Sequence, residues 1–174
     1  MLLYLLLFIS AISATRHAVL IAGSNGYDNY RHQADICHAY NILSEGAMDD
    51  ENIILMTYDD IANNPENPFP GKIFNSPSNT EAPAIDLYEN CQKATNKYTG
   101  DDVNSDNFLA VLTGNQSGVP KGKKVLNSTE NDDVFINFAD HGGSGILEMP
   151  SGPVLRKSQL LNALQIMYLS LIHI

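Results

Sequence analysis

Cysteine occurs only twice in this 174-residue chain, at Cys37 and Cys91. That excludes a disulfide framework and a zinc site built from cysteines alone. Cationic side chains are also scarce: 10 Lys plus Arg stand against 20 Asp plus Glu, a formal charge of -10. So acidic a surface does not track a phosphate backbone, and nucleic acid is not an expected partner. After the first dozen residues no stretch is long and apolar enough to cross a membrane. Internal repeats are absent. An apolar fraction of 44% with 17% charged residues points to a folded globular chain, and the length favours one domain.

Met1 to Ile12 reads MLLYLLLFISAI, without charge, followed by the small residues Ser13 and Ala14. The run is too short for a membrane span and fits the apolar core and cleavage region of a secretory signal peptide, residues 1–14. Two sequons, at Asn115 and Asn127, sit in polar stretches and fit N-glycosylation on that route.

Strands and helices then alternate. His17 to Ala22 (HAVLIA) is an apolar run closed by Gly23-Ser24-Asn25-Gly26, as for a strand buried on both faces. Tyr30 to Glu45 has helical spacing and stops at Gly46. Asn52 to Tyr58 is a second buried strand, so the first two strands should be parallel with a crossover helix. Residues 59–104 hold five prolines and many Asn and Ser, and little regular structure is expected there. Ser105 to Leu112 reads as a short helix capped by Ser105 or Asp106. Asp133 to Ala139 is a further buried strand. Ile146 to Leu155 is a candidate hairpin turning at Ser151-Gly152-Pro153. Lys157 to Tyr168 is a helix with Leu160, Leu161, Leu164 and Met167 on one stripe. The order implies an α/β fold with a mainly parallel sheet.

Ligands in such folds bind beyond the carboxyl ends of the strands. Two of those ends are polar and Gly-rich: residues 23–35 and Asp140-His141-Gly142-Gly143-Ser144-Gly145. His141 beside Gly142 and Gly143 can act as a general base next to amides that stabilise an oxyanion. His32, Asp35 and His38 would not converge well as metal ligands on one helix. His17, at a strand start, reads as structural, and the Asp-Asp pairs read as turn and cap residues. Cys37 reads as a small buried hydrophobe on the helix and Cys91 as part of the irregular excursion; neither sits where a nucleophile would.

The string AGSNGYDNYRHQADICHAY at 22–40 resembles the legumain, or asparaginyl endopeptidase, family of cysteine peptidases. The resemblance continues through DENIILMTYDDIANNPENPFPGKIFN, KYTGDDV, NFLAVLTG, KVLNS and DDVFINFADHGGSGIL, covering nearly all of 17–168. It implies a caspase-like three-layer sandwich. His141 matches the catalytic base and Gly142 the residue whose amide helps form the oxyanion hole. Asn29 matches the asparagine that orients the histidine. Arg31 and His32 match residues lining the pocket for a substrate Asn side chain. The expected activity of the intact protein is hydrolysis of peptide bonds after Asn, on peptide or protein substrates, with no cofactor and no metal. The expected location is the secretory pathway, ending in a lysosome or vacuole or outside the cell.

The family's nucleophile is a cysteine on a strand end after the last helix seen here, yet no cysteine follows His141. Residues 15–168 are therefore expected to be the N-terminal part of a peptidase domain, inactive alone. Leu169 to Ile174 (LSLIHI) departs from the family, and its codons can spell the end of a common sequencing adapter, so residues 169–174 are expected to be non-native. The stretch from about Asn79 to Lys97, with Cys91, is longer than the family's. A related lipid-anchor transamidase subunit and a non-catalytic secreted binding glycoprotein are the alternatives. RHQAD at 31–35, rather than an RHVAN-like string, favours the peptidase.

Overall fold

A computed structural model describes residues 14–76 and 84–172, the last four by backbone alone. The expected leader lies outside the described residues apart from Ala14. Residues 77–83 of the longer stretch and the last two residues of the tail lie outside them too. The strands are β1 (Arg16–Ala22), β2 (Ile53–Met56), β3 (Lys97–Tyr98) and β4 (Asp133–Ala139), with a small pair β5 (Ile146–Leu147) and β6 (Leu155–Arg156). The helices are α1 (Tyr30–Glu45), α2 (Tyr88–Cys91), α3 (Ser105–Leu112) and α4 (Lys157–Ile172).

The main sheet is all parallel, in the order β3-β2-β1-β4. β1 lies centrally, and Ala18 to Ala22 are fully buried. Side chains alternate across a strand, so β1 feeds two cores. Ala18, Leu20 and Ala22 pack with Ile36, Cys37 and Tyr40 of α1. Val19 and Ile21 pack with Phe108, Val111 and Leu112 of α3 and Ala163 of α4. One sheet between two helical layers is the three-layer α/β sandwich expected.

Several local expectations are corrected. The excursion contains α2 and β3, because Tyr98 is drawn into the core while its hydroxyl donates to the Lys124 carbonyl at 2.7 Å. Asn104, not Ser105 or Asp106, caps α3: its side-chain oxygen accepts from the Asn107 amide at 2.9 Å. Gly46 closes α1 as expected, but at φ -75°, and the left-handed residue that reverses the chain is Ala47. On α4 the inward stripe is the buried Ala163 with the half-buried Leu160 and Met167, whereas Leu161 and Leu164 are exposed. β4 is not sealed on both faces, since Phe135 is 49% exposed and its strand has no partner on the side away from β1 among the described residues.

Cys37 and Cys91 are not free. They form a disulfide across a sequence separation of 54 that ties α2 to the middle of α1. The excursion therefore has an anchor that its proline-rich composition gave no sign of. Its near end is also fastened: Tyr88 donates to Asp59 Oδ1 at 3.0 Å, and burial, with that carboxylate, pushes the phenol up to about 12.

Candidate active site

β1 and β4 run side by side, with Ala22 opposite Ala139. From β1 the chain proceeds outward to β2 and β3, whereas β4 returns on the other flank. The sheet order thus reverses between β1 and β4, the switch point beyond whose carboxyl ends ligands bind in open α/β sheets. Residues 23–32 leave one strand there and residues 140–145 leave the other.

Close approach makes the junction tight. The Gly23 amide donates to the Ala139 carbonyl at 3.0 Å. A Cβ on Gly23 would lie 2.6 Å from a ring carbon of Phe138 and 2.8 Å from Asp140 Cβ and Cγ. Gly23→Ala is therefore expected to destabilise the fold by about 1–3 kcal/mol through overpacking. A urea melt checks this; an unshifted midpoint would show that the junction has slack.

Asn29 occupies the N-cap position of α1, yet its side chain makes no capping bond. Its Nδ2 donates to the Asn25 carbonyl at 2.8 Å, and its Oδ1 accepts from His141 Nε2 at 2.7 Å. That pair of bonds fixes the histidine tautomer: Nε2 carries the proton and Nδ1 the lone pair. Arg31 Nη2 donates to that Nδ1 at 3.1 Å, while Nη1 lies 3.3 Å from the Asp28 carbonyl. His141 and Arg31 are exposed, and Asn29 is half-buried. Gly142 follows at φ +70°, in the left-handed region where glycine is free of Cβ strain.

His32 sits underneath, 4% exposed, with Ser24 Oγ 2.6 Å from its Nδ1 and its ring edge-on to His141 at 4.8 Å between centroids. Burial, then the Arg31 guanidinium, holds His32 below the ordinary histidine range, against the pull of Asp140. The structure thus gathers Asn29, Arg31, His32, His141 and Gly142 at one rim. Asp35 and His38 stay outside it; both are exposed, and His38 Nδ1 pairs with Asn75 at 3.3 Å. His32 instead shares its neighbourhood with Asp140 and His141, whose ligand atoms lie within 4.8 Å of one another and of its own.

Supporting residues passed unnoticed in the sequence. Asp60 accepts from the Gly26 amide at 2.8 Å and from Gln33 at 2.6 Å, clamping the loop that carries Asn29 to the first turns of α1. Asn25 reaches across to the Pro150 carbonyl at 2.8 Å and joins that loop to the β5–β6 region. Asp60 reads in sequence as one half of a turn pair, and only the long-range bonds reveal its task. A cavity of about 560 Å³ lies at the opposite end of the sheet, by His17, Glu51 and Lys124, and no residue of this rim lines it.

The model of the Peptidase C13 family matches residues 16–171. A vacuolar-processing enzyme of Vicia sativa is 51% identical over 147 residues, covering 84% of this chain and 28% of that protein. The vacuolar-processing enzyme delta-isozyme of Arabidopsis thaliana is 54% identical over 139 residues, 79% of this chain and 28% of its own length. A legumain of Canavalia ensiformis is 47% identical over 152 residues, 87% of this chain and 30% of its own. The chain spans less than a third of the length of each of these relatives.

Proposed function

The chain belongs to the peptidase C13 family, and from that premise we propose that it is the N-terminal part of a cysteine endopeptidase domain cleaving after Asn. The observation that carries this reading is the Asn29–His141–Arg31 chain of hydrogen bonds at the β1–β4 rim. Asn29 holds the Nε2 proton, so the Nδ1 lone pair is the basic position. A thiol supplied on a strand beside β4 would meet it there, in the place where Arg31 now donates. Among the described residues the flank of β4 away from β1 is unpartnered, with Phe135 on that strand exposed, and this supports such a strand.

The steps follow from those positions. His141 Nδ1 takes the thiol proton, and the thiolate adds to the scissile carbonyl carbon. The negative charge on the carbonyl oxygen is met by the Gly142 amide. The imidazolium returns its proton to the leaving amine as the C–N bond breaks, leaving a thioester. Water, deprotonated by His141, then releases the acid and the thiol. Arg31 donates to the side-chain carbonyl of the substrate Asn. His32, almost fully buried, supports that pocket from beneath.

The substrates proposed are peptides or proteins with Asn at the cleavage site. Among the described residues no helix is long and apolar enough to cross a membrane. The relatives' names and the exposed sequons Asn115 and Asn127 support a secretory route to a vacuole or lysosome, with glycans at both. The test is to recover the transcript that continues after residue 168 and express the whole product. Cleavage of an Asn peptide, with an otherwise identical Gln peptide spared and the 174-residue chain inactive, is expected. Equal cleavage of both peptides, or a downstream strand without cysteine, would overturn the reading.

A further inference from the structure

Asp140 ends β4 with one carboxylate oxygen satisfied and the other not. Oδ2 accepts from the Glu148 amide at 3.0 Å. Oδ1 has no hydrogen-bond partner, although the side chain is only 1% exposed. A buried oxygen of this kind is costly to leave unmet, and native folds rarely do so without a purpose. Its nearest ionisable neighbour is His32 Nδ1 at 3.7 Å, beyond hydrogen-bonding reach. On the solvent side stands His141.

We propose that His32, Asp140 and His141 form a zinc site, with solvent completing the coordination. Two imidazoles and one carboxylate are a donor set that suits zinc, and that set leaves one position open. The nitrogen donors disfavour magnesium and calcium, which take oxygen. The surroundings resemble the outer support of a metal site. Asn29 holds the Nε2 proton of His141 at 2.7 Å and leaves Nδ1 for the ion. His32 binds through Nδ1, the nitrogen 3.7 Å from Asp140 Oδ1, so Ser24 Oγ, now 2.6 Å from that atom, turns away on metal uptake.

Distances and charge set two conditions. Ligand atoms now lie within 4.8 Å of one another, whereas bonds of about 2.0–2.1 Å to a tetrahedral ion bring them to about 3.4 Å. His32 and Asp140 are near that spacing already, so the exposed His141 ring supplies most of the closure by rotating. Arg31 must give up its 3.1 Å bond to His141 Nδ1, and as an exposed side chain it has solvent to move into. The ion then takes the lone pair that the proteolytic reading assigns to the base. Zinc uptake by this chain does not depend on that reading.

The experiment is calorimetric titration of the 174-residue chain with zinc chloride in a non-chelating buffer. Imidazole resonances are followed by NMR alongside. One zinc per chain is expected, with ring shifts at His32 and His141 and none at the other histidines. Magnesium chloride should give no binding heat. Asp140→Asn and His141→Gln should each weaken binding by about tenfold or more. No uptake, uptake unchanged in both variants, or shifts confined to other histidines would overturn the site. The ring shifts of the unsubstituted chain decide the matter even if a variant fails to fold. Because the chain has no cysteine after His141, a negative result leaves the proposed proteolysis standing, and loss of Asn cleavage would leave the zinc site standing.

Discussion

Replacing His141 with alanine in the full-length protein is expected to lower kcat/KM on an Asn peptide by about 10²–10⁴-fold, the usual worth of a positioned general base. KM should change little, because the ring touches the nucleophile and leaving group rather than the substrate side chain. Asn29→Ala should lose activity by the same route. Without the Oδ1 acceptor, nothing holds the proton on Nε2, and the tautomer with the proton on Nδ1 has no lone pair where the thiol needs it. Arg31→Ala should show a different pattern: KM for Asn peptides rises more than kcat falls, since the guanidinium binds substrate in the proposal. Since all three side chains are exposed or half-buried, thermal melts of these variants should stay near the parent's, separating chemistry from folding. Full activity in His141→Ala would remove the base from the mechanism.

Opening the Cys37–Cys91 disulfide is expected to have the largest effect on stability. The bond closes a loop with a sequence separation of 54. In the chain-entropy account, a loop of that size contributes up to about 4 kcal/mol by restricting the unfolded chain. For a domain of this length that corresponds to a fall in Tm of about 8–16 °C. Cys37→Ser with Cys91→Ser, and separately the parent protein under dithiothreitol, should both show it by circular dichroism. The comparison matters because serine also places a hydroxyl where both sulfurs are almost completely buried, whereas reduction leaves the packing atoms in place. Equal melting with and without reductant, or two titratable thiols in the unreduced unfolded protein, would show that the pair is open.

The disulfide also marks a limit of sequence reading. Two cysteines separated by a proline-rich stretch carry no sign of whether they meet. Cys37 reads as a lone hydrophobe on a helix face, and it does lie on that face. Its partner arrives because α2 packs against α1, a contact that depends on how residues 59–104 fold back. β3 was missed for the same reason: two residues have no periodicity to read, and only the free edge of β2 makes them a strand. The cap of α3 was misplaced by one residue, within the usual uncertainty of helix ends.

Local pattern, by contrast, carried far. Apolar runs closed by glycine marked β1 and the carboxyl end of β4, and helical spacing marked α1 from Tyr30 to Glu45. Because a parallel sheet exposes only its strand ends, those marks point to residues 23–35 and 140–145 as one polar rim, whereas the roles of Asn29, Arg31, His32 and Gly142 come from the family resemblance. Such marks are properties of short stretches, set by backbone preference and burial, and sequence alone determines them. Only the tertiary structure decided which atom of His141 carries its proton, that Asn29 leaves its cap to hold it, that Asp60 clamps the loop, and that Asp140 Oδ1 is left without a partner. Each of those depends on distances between residues up to 112 positions apart, which no local preference encodes and only the packed sheet sets.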